Sequence, residues 1–169
     1  MWWSRYRAPV VAGVIAAAVL AGCGFHLRGE TEAGFRKLFL SQAKPSQVFA
    51  EIRHALATGP TKLVATAPEA EAELRILEEN REKTVHSLTG AGIVYDFELK
   101  LTVHYQLTVS GREEPLIPPT EVAARRLITF SASAPTAKEA EEQLLYKDMQ
   151  ADLARRILRH VAAMKRQLT

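Results

Sequence analysis

The sequence predicts an α+β domain: a four-stranded sheet with one long strand, and two helices packed on one face. Three observations carry that expectation. From Tyr95 to Val109 every odd position is apolar, and every even position from Asp96 to Ser110 is polar, the period-2 pattern of a strand with one buried and one wet face. Apolar residues spaced by 3 and 4 mark one helix around Val48–Leu56 and a second toward the C-terminus. Gly and Pro clusters separate the periodic segments, as turns require.

The elements follow in order. Phe35–Leu40 (FRKLFL) is a short apolar run that reads as a first strand. Pro45-Ser46 opens a helix whose apolar face is Val48, Phe49, Ile52, Ala55 and Leu56, and Gly59-Pro60 ends it. Residues 73–87 are rich in helix formers, yet Leu74 and Ile76 alternate, and Gly90-Ala91-Gly92 supplies a hairpin turn into the long strand. A strand is therefore expected there against its propensity. The long strand, residues 95–109, spans about 50 Å at ~3.3 Å per residue. Gly111–Pro119 is a second turn. Val122, Ala124, Ile128 and Phe130 alternate through a last strand, residues 121–131, with Arg126 breaking the apolar face. Thr136-Ala137-Lys138-Glu139 has the form of a capping box, placing Thr136 at the N-cap and Lys138 at the second helical position. The helix it opens is expected to run to about residue 167, burying Leu145, Met149, Leu153, Ile157, Val161, Met164 and Leu168.

Upstream of this domain the chain reads as an address. Met1–Arg7 is basic, and Ala8–Gly22 (APVVAGVIAAAVLAG) carries no charge, the layout of a secretory signal too short to span a bilayer. It ends in Leu20-Ala21-Gly22-Cys23, a lipobox, and Cys23 is the single cysteine of the chain. The expected division is a signal peptide over residues 1–22, a lipidated leader over 23–34 and one domain over 35–169. Acylation at Cys23 would tether the domain to a membrane, because one acyl chain binds only reversibly and several hold firmly. Lipoproteins retained at the inner membrane typically carry Asp after the cysteine, so Gly24 favours the periplasmic side of the outer membrane.

The composition narrows the function classes. A chain of 169 residues with 47% hydrophobic and 24% charged residues is a folded globular protein of one domain. Net charge is +3, of which Arg5 and Arg7 supply two, too little excess for a nucleic-acid binder. One cysteine excludes an internal disulfide framework. His26, His54, His86, His104 and His160 form no metal-ligand spacing, and neither HExxH, GxxxxGK nor GxSxG occurs. Glu78-Glu79 and Glu113-Glu114 read as solvated charge rather than as acid/base pairs. No cofactor, metal or catalytic residue is expected. Lys83, Arg112, Arg125, Arg126 and Lys138 fall near strand ends or the last helix start. They are either scattered surface charge or an anion site at the sheet tips.

The run Cys23-Gly24-Phe25-His26-Leu27-Arg28-Gly29 resembles the start of the mature chain in the LptE family of lipopolysaccharide-assembly lipoproteins, and the order of strands and helices agrees. The resemblance implies a non-catalytic protein seated in the lumen of the LptD outer-membrane barrel. It would plug that barrel, assist its assembly and bind lipopolysaccharide on its way to the cell surface. It also implies basic ligand contacts near one end of the sheet. Lys138 looks like one such position, with Arg125 and Lys83 as further candidates, whereas the turn around Ser87–Gly92 has no Lys or Arg. The competing expectation is a free-standing lipoprotein binding module or adaptor with no barrel partner.

Overall fold

The computed structural model describes residues 33–168 except 132 and 134. The signal peptide, the lipobox with Cys23 and most of the leader lie outside the described residues. The elements are β1 (Lys37–Gln42), α1 (Gln47–Ala57), β2 (Lys62–Val64), β3 (Ala72–Leu88), β4 (Val94–Val109), β5 (Ile117–Thr129) and α2 (Pro135–Arg166). The sheet order is β2-β1-β3-β4-β5. β1 is parallel to both neighbours, and β3, β4 and β5 form an antiparallel meander.

The sheet therefore has five strands, not four. The added strand is β2, which has only three residues and too few positions to show a period. It exists because α1 returns the chain alongside β1, the crossover that a parallel pair requires. Its register sets Leu63 beside Leu38. The first strand also begins two residues later than Phe35, at Lys37.

Both helices cover one face, and a single core joins them to it. Val48, Ile52 and Leu56 of α1 and Met149, Leu153, Ile157 and Val161 of α2 pack with Leu38, Leu74, Ile76, Leu99, Leu101, Val103 and Leu107 of the sheet. The odd positions of β4 are buried from Leu99 to Leu107, as the alternation demands, and Thr102 is the one even position among them that is buried too. Length matching makes this possible: 32 helical residues span ~48 Å at 1.5 Å each, close to the ~54 Å of a 16-residue antiparallel strand. The buried stripe of α2 differs in part from expectation. Tyr146 is the first buried residue, Leu145 and Met164 are only partly buried, and Leu168 is exposed.

Two further expectations are corrected. α2 begins at Pro135, where proline is favoured because its missing N–H has no helical partner anyway. Thr136 thus lies inside the helix and cannot be its N-cap, and Lys138 is the fourth helical residue rather than the second. β5 starts at Ile117 and includes Pro118 and Pro119, which an edge strand tolerates because one row of its N–H groups needs no partner.

The β3–β4 hairpin contains the local irregularity that matters most. Its register shifts between Ile76 and Glu78, so Leu77 is a bulge and the two halves of β3 present opposite parities to the helices. Leu74 and Ile76 face the core below it. Above it Glu79, Arg81 and Lys83 stand opposite Val103, Leu101 and Leu99 and share their face. The turn closes through Gly92 at φ +78°, with its N–H donating to Thr89 O.

Candidate functional site

Glu79 shows what the bulge does. Its side chain is only 6% exposed, and one carboxylate oxygen accepts from Ser46 Oγ at 2.7 Å and from the Val48 N–H at 2.9 Å. Ser46 Oγ in turn accepts from the Phe49 N–H at 3.1 Å. β3 therefore helps cap α1, satisfying donors that a helix start leaves free. The sequence reading of Glu78-Glu79 as paired solvated charge holds for exposed Glu78 alone. Lys44 binds Glu78 at 2.6 Å and, by that hydrogen bond and its charge, holds the Glu78 carboxyl below the usual range.

Lys83, the next candidate on the same face, donates to Glu142 Oε2 at 2.6 Å and lies 4.7 Å from the Phe97 ring centre. Lys138 donates to the neighbouring Glu141 at 2.8 Å. The two lysines are thus held by adjacent carboxylates of α2, near the point where β5 hands the chain to that helix. Arg125 is not part of this group. It pairs in register with Lys100 and lies 3.9 Å from Glu98, on the face the helices leave bare. The cation on the correct face is its neighbour Arg126, opposite Leu99 as Lys83 is on the other side. Among the described residues Arg126 has no carboxylate within ion-pair distance; its guanidinium donates to Arg125 O. The sequence signal for it was present, since Arg126 interrupts the apolar parity of Ala124 and Ile128.

Beyond Lys83 the helix-bearing face continues without cover. Residues 135–145 of α2 are exposed or half-buried, and the sheet projects past the core as Val85, Tyr95, Phe97 and Phe130. Phe97 and Phe130 meet edge to face at 6.0 Å. Val85, Tyr95 and Phe130 are 52%, 55% and 45% exposed, so the long alternation of β4 outruns the core it builds. At the hairpin turn Leu88, in register with Val94, and Ile93 are also exposed. Apolar side chains bordered by Lys83, Arg126 and Lys138 form an amphiphilic tip.

Tyr105, Tyr146 and His160 join elements of the fold. Tyr105 Oη and His160 Nδ1 share a hydrogen bond of 2.5 Å, joining β4 to α2, and Tyr146 Oη donates to Glu82 O at 3.1 Å. Burial pushes both phenols above their ordinary range. His104 Nε2 is 3.4 Å from Glu121 on the bare face, and His54 is exposed on α1. Among the described residues no cluster of three metal-ligating side chains occurs, and no helix is long and apolar enough to cross a membrane.

Comparison with known proteins agrees with this architecture. The LPS-assembly lipoprotein LptE of Pectobacterium atrosepticum is 27% identical over 159 residues, which is 92% of this chain and 85% of that protein. Its counterpart from Yersinia pestis is 29% identical over 161 residues, 93% and 76% of the two chains. Among solved structures, lipoprotein B of Nitrosomonas europaea superposes with a TM-score of 0.71 at 33% identity, covering 83% of this chain and 91% of its own. The rare lipoprotein B of Shewanella oneidensis gives 0.70 at 27% identity, covering 78% and 98%. The profile of the family described as "LptE: Lipopolysaccharide-assembly" matches residues 35–161, from the entry to β1 through the last buried turns of α2, and the chain belongs to that family.

Proposed function

We propose that this lipopolysaccharide-assembly lipoprotein is anchored through Cys23 on the periplasmic side of the outer membrane, plugs and assists assembly of the LptD barrel, and binds lipopolysaccharide during its delivery to the cell surface. The observation that carries the ligand reading is the uncovered tip. Lipopolysaccharide combines phosphates with acyl chains, and Val85, Tyr95 and Phe130 offer apolar contact beside Lys83, Arg126 and Lys138. The bare sheet face supports the plug reading. Its cross-strand neighbours Glu82, Lys100, Glu98 and Arg125 are charged, which suits the polar lumen of an outer-membrane barrel. Members of this family are assembly lipoproteins, not enzymes.

Co-purification separates this reading from a free-standing adaptor. A plug is recovered with a large barrel in stoichiometric amount, whereas an adaptor extracted from the same membranes comes out alone. For the tip, Tyr95→Ser with Phe130→Ser is expected to weaken lipopolysaccharide binding several-fold while leaving thermal unfolding nearly unchanged, because both side chains are about half exposed. Unaltered affinity would remove the tip from the binding surface.

Lys138→Asp is expected to lower lipopolysaccharide affinity roughly tenfold at low ionic strength, where screening is least. Stability should hold within about 0.5 kcal/mol. An acid near a helix start is favourable, but the ion pair with Glu141 becomes an i,i+3 repulsion of similar size. Equal affinity of mutant and parent rejects Lys138 as a ligand contact. Cys23→Ala should abolish acylation and leave an unprocessed precursor or a soluble form. Full partition of that mutant with outer membranes in cells lacking the barrel would contradict the lipobox.

A further inference from the structure

The two lysines of the tip are already occupied. Lys83 Nζ donates to Glu142 Oε2 at 2.6 Å, and Lys138 Nζ donates to Glu141 Oε2 at 2.8 Å. Two successive carboxylates of α2 thus engage cations from two elements, β3 and α2 itself. The Glu142 side chain is only 19% exposed, so its pair is screened less than an open surface pair. Arg126, the third cation of the tip, donates to a backbone carbonyl instead. The helix dipole does not account for these acids. Its effect falls off within the first turn, where α2 has no acidic residue, and Glu141 and Glu142 are its seventh and eighth residues. Stability does not account for them either, since partly exposed ion pairs contribute little.

An anion that reaches either lysine must displace a carboxylate. For a lipid with one phosphate the exchange is close to neutral: one negative charge leaves the ammonium and another takes its place. The displaced carboxylate then stays beside the ligand and repels it. A lipid with two phosphates on one headgroup is placed differently. Each phosphate monoester brings about two negative charges and three acceptor oxygens. Once the first is bound, the second arrives at high effective concentration. Lys83 also keeps its place when Glu142 lets go, because its Nζ lies 4.7 Å from the Phe97 ring centre. The apolar part of the tip cannot make this distinction, since Val85, Tyr95 and Phe130 would meet the acyl chains of either lipid alike.

We propose that Glu141 and Glu142 are specificity-determining residues: they hold Lys83 and Lys138 against single-phosphate lipids and release them to lipids that carry two phosphates. This role rests on the ligand reading above. The carboxylates act as internal competitors, so their removal broadens the range of lipids bound. A purely structural pair predicts the opposite sign, because its loss would loosen the start of α2 and weaken binding of every lipid.

The test measures equilibrium binding by the full chain in a nonionic detergent. Its probes are bisphosphoryl lipid A, monophosphoryl lipid A, which lacks one phosphate, and phosphatidylglycerol. The parent should bind the bisphosphoryl form roughly tenfold more tightly than the monophosphoryl one. Glu141→Gln with Glu142→Gln should reduce that ratio to about threefold or less, through tighter binding of monophosphoryl lipid A and phosphatidylglycerol. Glu139→Gln removes a charge from the same exposed stretch of helix and should leave the ratio as it is, since among the described residues no ion pair involves Glu139. Should the double variant melt earlier than the parent, Glu141→Gln alone is expected to move the ratio in the same direction, because its pair with Lys138 lies within one helix. Equal parent affinity for both forms of lipid A, or an unchanged ratio in variants that still bind the bisphosphoryl form, overturns the role of the carboxylates and leaves the ligand reading standing. An equal shift with Glu139→Gln also overturns it and assigns the effect to net charge. A parent chain that binds none of the probes refutes the ligand reading itself, and the selectivity with it.

Discussion

Leu101→Asp is expected to unfold the domain. Leu101 sits at the middle of β4, fully buried beneath the helices, between Arg81 on β3 and Ala124 on β5. The substitution trades an apolar side chain for a carboxylate in a dry layer. An unpaired buried charge costs about 3–5 kcal/mol, a large part of the ~5–15 kcal/mol that separates folded from unfolded domains. Arg81 offers little rescue, because its guanidinium lies 5.1 Å from the Tyr146 ring centre and its Nε is 3.7 Å from Glu79. Far-UV circular dichroism should show loss of cooperative unfolding, or a midpoint lowered by about 10 °C or more. An unchanged midpoint would mean that the odd positions of β4 are not the core.

Glu79→Ala is the second large effect, and it separates two adjacent glutamates. Removing the Glu79 carboxylate leaves Ser46 Oγ and the Val48 N–H without the acceptor that serves both. Hydrogen bonds to charged groups contribute about 1.5–3 kcal/mol, so a loss of ~2–3 kcal/mol is expected. It should be concentrated at the start of α1, where amide hydrogen exchange should rise. Glu79→Gln keeps an acceptor and should cost less. Glu78→Ala should change stability little, since its exposed pair with Lys44 is of the kind that contributes little. Equal costs for the two alanine mutants would contradict the placement of the bulge at Leu77.

That pair of residues also shows where sequence reasoning stopped. Both glutamates sit in a run of charged residues, and nothing local says which one lies under a helix. The choice is made by register. A one-residue bulge reverses parity from Glu78 to Val85, and its position depends on pairing with β4 and on where α1 needs an acceptor. The same argument explains the basic residues. Lys83, Arg125 and Arg126 are equally plausible from composition, but pairing through Leu99 sets Lys83 and Arg126 on the helix-bearing face and Arg125 on the bare one. Strand β2 escaped for a related reason. Three residues hold no period, and only the return of α1 beside β1 makes them a strand.

The sequence by itself determined the fold class, the long alternating strand, both helices and the hairpin turn at Gly90–Gly92, because each rests on a period or a turn residue read within one segment. It also held, in Cys23–Gly29, the leader that resembles the family whose profile matches residues 35–161. Tertiary structure decided the fifth strand, the start of α2 at Pro135, the burial of Glu79 and the company each cation keeps. Those outcomes depend on contacts between segments distant in the chain. They follow from strand register and helix cover, which no single segment encodes.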